Sequence, residues 1–360
     1  MRVARLSRKG RPLSAALALQ GLLWSSPGKS RKRAGFGAGR AVPAKRRALA
    51  KSKPKPKSKP KPERRPAPGT FVEGRHSSRA GQVAYKLYTP PGSARRRLPL
   101  VVMLHGCTQS AADFAAGTGM NRLADEFGLL VLYPEQSASA NLARCWNWHR
   151  PGDQERGGGE PAVIASLTRH VIALCRANPA RVYIAGISAG GAAAAIIAAA
   201  YPELYVAVGV HSGLARGNVS TLGGAISAMR AGVATSAFGG GKTRRPLPTI
   251  VFHGDQDNIV HPSNAAGFLS HLRRSGSLPL NSRETRGTSP RGRAYTRNEY
   301  RQGTGPVLLE HWTLHGSAHG WSGGNAAASH TEPAGPNASR EMVRFFLNRI
   351  RRKTLRPVSV

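Results

Sequence analysis

Cysteine is scarce. Only Cys107, Cys145 and Cys175 occur in 360 residues. Their number and spacing exclude a zinc ribbon and a disulfide-dense scaffold. One disulfide with a lone thiol and three free thiols are equally compatible with this composition. No apolar run is long enough to span a bilayer. No glycine fingerprint follows the first strand, and there is neither a P-loop nor an H-E-x-x-H pair. The histidines are scattered rather than spaced as metal ligands, so no cofactor and no metal site is implied. Acidic residues are also few: 17 Asp and Glu stand against 54 Lys and Arg, for a formal net charge of +37.

That charge is unevenly spread. Roughly twenty of the net positive charges lie before Pro68, where Glu63 is the only acid. A segment of this kind attracts anionic surfaces or polymers and says nothing about fold. Within it, KSKPKPKSKPKPERRPAP cannot form a helix, because each proline removes an N–H and restricts the residue before it. Residues 1–67 therefore read as a disordered, extended basic arm. Residues 1–28 have the order of a signal peptide's first two regions: basic Met1 to Arg11, then PLSAALALQGLLW. No A-x-A-like site follows, and the next residues are strongly basic. A signal segment and a short disordered start both remain readings of it.

From Gly69 short apolar runs alternate with helical patterns, which predicts an α/β fold with a mostly parallel sheet and helices on both faces. Strands are expected over 82–89, 98–105, 129–133, 181–185, 206–210, 249–253 and 308–314. Helices are expected over 111–127, 161–177, 190–200 and 341–351. One domain over 68–353 results, with 354–360 as a tail.

The strongest chemical signal is Gly186-x-Ser188-x-Gly190 between the strand RVYIA and a helix of small residues. That context is the nucleophile elbow of the α/β-hydrolase fold. The turn forces Ser188 into a strained conformation, and side chains at 186 and 190 would collide with the adjoining elements. The base should follow in the order Ser, acid, His. Asp255 and Asp257 compete in the loop after strand 249–253. The later aspartate of H-G-x-x-D-x-x-V suits the role, leaving Asp255 to order the loop. His319, in a Gly/Ser loop after strand 308–314, is the candidate base. Its neighbour His315 sits at the strand end and reads as structural. In this division of labour His319 takes the Ser188 proton and Asp257 fixes the imidazole tautomer. The oxyanion would be held by the backbone N–H groups of Ala189 and Cys107.

At these residues the chain resembles the poly(3-hydroxybutyrate) depolymerase-type esterases, relatives of feruloyl and acetylxylan esterases. The matching stretches include LVVMLHGCTQS (100–110), RCWNWH (144–149), GEPAVIASLTRHV (159–171), RVYIAGISAGGAAAA (181–195), TIVFHGDQDNIVHPSNA (249–265) and LLEHWTLHGSAHGWSGG (308–324). HGCTQ, CWNW and AHGWSGG are far more specific than G-x-S-x-G. The resemblance implies a serine carboxylic ester hydrolase with Ser188, Asp257 and His319 as its triad and His105-Gly106-Cys107 as its oxyanion loop. It implies a Cys107–Cys145 disulfide, and with it an oxidising, secreted or periplasmic setting. Cys175, among Val171, Ile172 and Leu174, reads as a small apolar residue. The implied substrate is a hydroxyalkanoate polyester or its oligomers, with a short-chain ester or an acylated polysaccharide as alternatives. His105, Trp146, Trp148 and Trp321 are candidate substrate contacts. The tryptophans would form either an apolar rim or part of the core, with Trp321 assigned to the rim because it adjoins His319. The chain departs from secreted polymer depolymerases in its basic arm and in showing no polymer-binding segment, which argues against crystalline polymer as substrate. A binding protein with a vestigial hydrolase domain is opposed by the complete Ser188, Asp257 and His319 set.

Overall fold

Ten strands form one sheet, and its centre explains why the inner runs are continuously apolar. The computed structural model describes residues 69–93, 96–215, 219–232, 246–275 and 279–351. The expectations for the arm 1–67 and the tail 354–360 lie outside these residues. The strands are β1 (Thr70–Ser78), β2 (Gly81–Thr89), β3 (Leu100–Leu104), β4 (Leu130–Glu135), β5 (Val182–Ile187), β6 (Ala207–His211), β7 (Thr249–Gly254), β8 (Leu280–Thr288), β9 (Ala294–Gln302) and β10 (Val307–Leu314). Their order is β1-β2-β4-β3-β5-β6-β7-β10-β9-β8. Neighbours from β4 to β10 pair in parallel. The pairs at both margins are antiparallel. Buried on both faces, the central parallel strands read as near-continuous apolar runs, as in LVVML of β3 and VYIAGI of β5.

Alternation along each strand sends side chains to two cores. Leu100, Val102, Leu104, Ile184, Val208 and Val251 pack on one face. There they meet α3 (Gly159–Leu174) and α4 (Ala189–Ala200) through Ile164, Leu167, Ala193 and Ile197. Val101, Met103, Tyr183, Ala185 and Phe252 point to the other face. That face is covered by α1 (Ala111–Thr118), α2 (Met120–Phe127) and α7 (Ala338–Leu347) through Phe114, Leu123, Met342 and Phe346. Two further helices, α5 (Leu222–Ala231) and α6 (Ala266–Ser275), precede and follow β7.

The structure departs from the sequence expectations at identifiable places. The helix expected over 111–127 is broken at Gly119, whose φ of 60° ends α1 and starts α2. The closing helix begins earlier, where Asn337 accepts a hydrogen bond from the Arg340 N–H and caps α7. β1, β8, β9, α5 and α6 were not anticipated. β8 (LNSRETRGT) and β1 (TFVEGRHSS) are exposed edge strands whose sequences show no apolar alternation. α5 carries two glycines, which hide its helical pattern.

Candidate active site

The candidate residues all follow the carboxyl ends of parallel strands. Ser188 comes directly after β5, Asp257 three residues after β7, and His319 five residues after β10. Because these strands run in the same direction, their following loops share one edge of the sheet.

Ser188 has φ 56° and ψ −125°, a conformation L-residues rarely adopt. Its N–H donates to the His211 carbonyl at 2.9 Å, which ties the elbow to the end of β6. The flanking glycines are sterically required. A Cβ on Gly186 would stand 2.7 Å from the Leu104 carbonyl oxygen and closer to the backbone of Gly190. A Cβ on Gly190 would stand 2.7 Å from the Leu104 carbonyl carbon and closer to the Leu104 and His105 oxygens. β3, β5 and α4 thus meet backbone to backbone under the serine.

Asp257 is 3% exposed. Its Oδ1 accepts the Ile259 and Val260 N–H groups at 3.0 and 2.9 Å. Its Oδ2 lies 2.8 Å from His319 Nδ1. Burial pushes this carboxyl up, but the hydrogen bond and charge of His319 outweigh it and hold the pKa at about 2. Asp257 is therefore ionised at neutral pH and accepts from His319 Nδ1–H, which leaves Nε2 as the nitrogen able to take a proton.

Asp255 and His315 form a second pair, with Oδ2 to Nδ1 at 2.9 Å. Asp255 Oδ1 also accepts the Gly316 N–H at 2.6 Å, and His315 Nε2 meets Thr296 Oγ1 at 2.8 Å. Both ring nitrogens of His315 are engaged, and Asp255 holds the turn after β10. Nearby His211 is fully buried, and burial followed by the neighbouring His253 and His319 lowers its pKa to about 3. Its Nε2 accepts the Ser322 N–H at 3.0 Å, so this neutral imidazole is a strut under the His319 loop.

The loop after β3 is bound on both sides of Cys107. The Gly106 N–H donates to Gln109 Oε1 at 2.9 Å, and the Thr108 N–H donates to the Ala143 carbonyl at 2.6 Å. Thr108 itself has φ 65°. A Cys107–Cys145 disulfide joins this loop to the segment carrying Trp146 and Trp148. The third cysteine, Cys175, caps the end of α3 and is half-buried against the core.

The four candidate substrate contacts are all buried in this structure. Trp321 is 1% exposed, stacks on His211 at 5.3 Å and meets Phe114 edge-on at 5.3 Å. Its indole N–H donates to Ser339 Oγ at 3.0 Å. Trp146 is 2% exposed and donates to the His105 carbonyl at 3.1 Å. Trp148 is buried as well. An indole gains most from burial when its N–H finds an acceptor there, and Trp146 and Trp321 both have one. His105 is wholly buried. Its Nε2 accepts the Gln136 N–H at 3.0 Å and its Nδ1–H donates to the Gly106 carbonyl at 2.8 Å. It has no nitrogen left for a substrate.

The profile of the esterase PHB depolymerase family matches residues 83–294. The chain belongs to this family. A poly(3-hydroxyalkanoate) depolymerase C of Paucimonas lemoignei is 30% identical over 239 residues, covering 64% of this chain and 56% of that protein. A feruloyl esterase B of Neurospora crassa is 29% identical over 51% of this chain and 68% of its own length. An acetylxylan esterase A of Talaromyces purpureogenus is 30% identical over 54% and 53%. The family member described here thus spans little more than half the length of most of these relatives. Among solved structures, an acetyl xylan esterase from Aspergillus awamori superposes with a TM-score of 0.59 at 18% identity, over 76% of this chain and 98% of that one. An S-formylglutathione hydrolase from Agrobacterium tumefaciens gives 0.51 at 18% identity, over 79% and 96%. At that identity the likeness establishes the α/β-hydrolase fold. No helix among the described residues is long and apolar enough to cross a membrane.

Several site residues carried no recognisable signal of their own in the sequence. Gln109 lies inside HGCTQ and Glu160 is second in GEPAVIASL, both within family-like stretches. Only the fold shows that Gln109 braces Gly106, or that Glu160 reaches Gln136 and Asn147.

Proposed function

We propose that this esterase-family chain hydrolyses carboxylic esters through an acyl-enzyme on Ser188. One observation carries the reading: a buried, ionised Asp257 holds His319 by Nδ1 at 2.8 Å, on the sheet edge where the strained elbow presents Ser188. His319 Nε2 accepts the hydroxyl proton as Ser188 Oγ adds to the ester carbonyl. The imidazolium formed is stabilised by Asp257 and returns the proton to the departing alcohol as the carbonyl–oxygen bond breaks. Water then adds to the acyl-enzyme with His319 again as base. This releases the acid and regenerates Ser188. The tetrahedral oxyanion is held by two N–H groups. Ala189 opens α4, where a helix has no internal acceptor for its first N–H groups. Cys107 supplies the other, between two loop N–H groups already bonded within the protein.

The substrate class follows from the relatives. A hydroxyalkanoate polyester or its oligomers is the first reading, since the depolymerase C matches over the longest stretch of the three relatives compared. Acylated polysaccharide is the second, favoured by the feruloyl and acetylxylan esterase relatives. A Cys107–Cys145 disulfide suits an oxidising, secreted or periplasmic compartment.

The test is hydrolysis of p-nitrophenyl butyrate beside clearing of a poly(3-hydroxybutyrate) suspension and release from acetylated xylan. Ser188→Ala and His319→Ala should each lower kcat by on the order of 10⁴–10⁶ while the fold persists. Wild-type rates in either variant would refute the triad. Soluble-ester activity without polymer clearing would assign the enzyme to oligomers or acylated polysaccharide.

A further inference from the structure

Glu160 lies in the first turn of α3, where a carboxylate is ordinarily explained by the helix dipole. Its contacts point elsewhere. Its oxygens accept the Asn147 N–H at 2.8 and 3.1 Å and the Asn147 side-chain amide at 2.9 Å. They also accept the side-chain amide of Gln136, which follows β4. Its own N–H donates to Asp153 Oδ1 at 2.7 Å, fixing the helix end. Every side-chain partner is therefore a donor from another segment, and the carboxylate ties α3, the end of β4 and the 145–149 loop at one point.

Both loop partners lead to Cys107. The Gln136 amide also donates to the Cys145 carbonyl at 3.1 Å, and Cys145 is covalently joined to Cys107. The Gln136 N–H donates to His105 Nε2, whose Nδ1–H in turn holds the Gly106 carbonyl. Trp146, beside Asn147, donates to the His105 carbonyl. A covalent route and a hydrogen-bonded route thus converge on one N–H. On the outer side of this junction is a cavity of about 230 Å³, lined by Gln136, Trp146, Asn147, Arg150, Asp153 and Glu160 among others.

We propose that Glu160 is a positioning residue for the oxyanion loop, setting the Cys107 N–H against Ser188 through Gln136 and the Cys145 segment. The proposal rests on the ester-hydrolase reading above. It predicts a defect confined to the step in which oxyanion charge develops, because Glu160 itself touches no reacting atom.

The test compares Glu160→Ala and Glu160→Gln with wild type on p-nitrophenyl butyrate. Rates are normalised to active serine titrated with a fluorophosphonate, so that misfolded protein does not count. Inhibition by a trifluoromethyl ketone, whose adduct on Ser188 places an oxyanion in the same site, is measured in parallel. Removing one oxyanion donor outright costs on the order of 10²–10³ in rate, so a displaced donor should cost about 10- to 100-fold in kcat for Glu160→Ala. Ketone affinity should fall by a similar factor while KM changes less than about threefold, because the oxyanion forms only beyond the ground state. Glu160→Gln keeps the shape and one acceptor, and should recover part of the loss. Wild-type kcat and ketone affinity per active serine in both variants would overturn the proposal, as would a rise in KM alone. Activity surviving in Ser188→Ala would instead refute the Ser188 acyl-enzyme on which the proposal rests, so the two failures are distinguishable.

Discussion

Gly190→Ala is a sharp test of how the elbow is built, because two opposing effects can be weighed. Gly190 is the second residue of α4, and alanine there should gain about 1 kcal/mol of helix propensity. Against this, the new Cβ would stand 2.7 Å from the Leu104 carbonyl carbon, and nearer still to two carbonyl oxygens. Carbon atoms at rest lie about 3.5–4.0 Å apart, so α4 and β3 must separate by roughly 1 Å. Backbone faces backbone here, and no rotamer change relieves the clash. The upper end of the overpacking range, about 3 kcal/mol, therefore applies. The net loss is about 2 kcal/mol, or about 3 °C in Tm for a domain of this size. The same displacement moves Ser188 relative to the loop after His105, and a 1 Å misplacement costs about 10²-fold in rate. Urea unfolding and kcat on p-nitrophenyl butyrate, per titrated serine, measure both effects. Gly223→Ala is the control. Its Cβ would meet nothing within 4 Å, and it should stabilise by about 0.4–1 kcal/mol. If Gly190→Ala behaves like Gly223→Ala, the steric account of the elbow is wrong.

Two further outcomes follow from the site. Replacing Cys107 and Cys145 together by alanine opens a loop of sequence separation 38, and should cost about 4 kcal/mol in urea unfolding; a loss under about 1 kcal/mol would contradict the tethering role. The Asp257 carboxyl titrates at about 2 in the folded protein against an ordinary 3.8, so its stabilisation is complete above pH 3.8 and disappears as pH falls through about 2. Wild type should exceed Asp257→Asn by about 2 kcal/mol at pH 6, with the gap closing toward pH 2. A gap independent of pH would show that the His319 pairing is not its source.

The parts of the fold that could be read in advance are those where burial on both faces leaves a continuous apolar run, as in β3, β5, β6 and β7. The edge strands β1 and β8 show no such signal because neither has a buried position, and their charged residues leave no apolar alternation to mark a strand. Gly119 split a helix whose apolar spacing continues through it, since spacing reports the buried face and not the backbone break. At the site, Ser188 was legible because a strained turn demands glycines at fixed positions. Trp321 packs in the core, since proximity in sequence to His319 does not say which way a side chain points.

The sequence by itself determined the class of fold, the elbow, and the order serine, aspartate, histidine, since each is a local pattern dictated by backbone sterics or burial. Only the tertiary structure decided which aspartate serves which histidine. Asp255 and Asp257 are two residues apart, as chemically alike as their sequence context, and the fold pairs one with exposed His315 and the other with half-buried His319. It also decided how deeply the three tryptophans and His105 are buried. Glu160, 53 residues from Cys107, meets the oxyanion loop only through two other segments, and contacts of that kind exist only once the chain has closed upon itself.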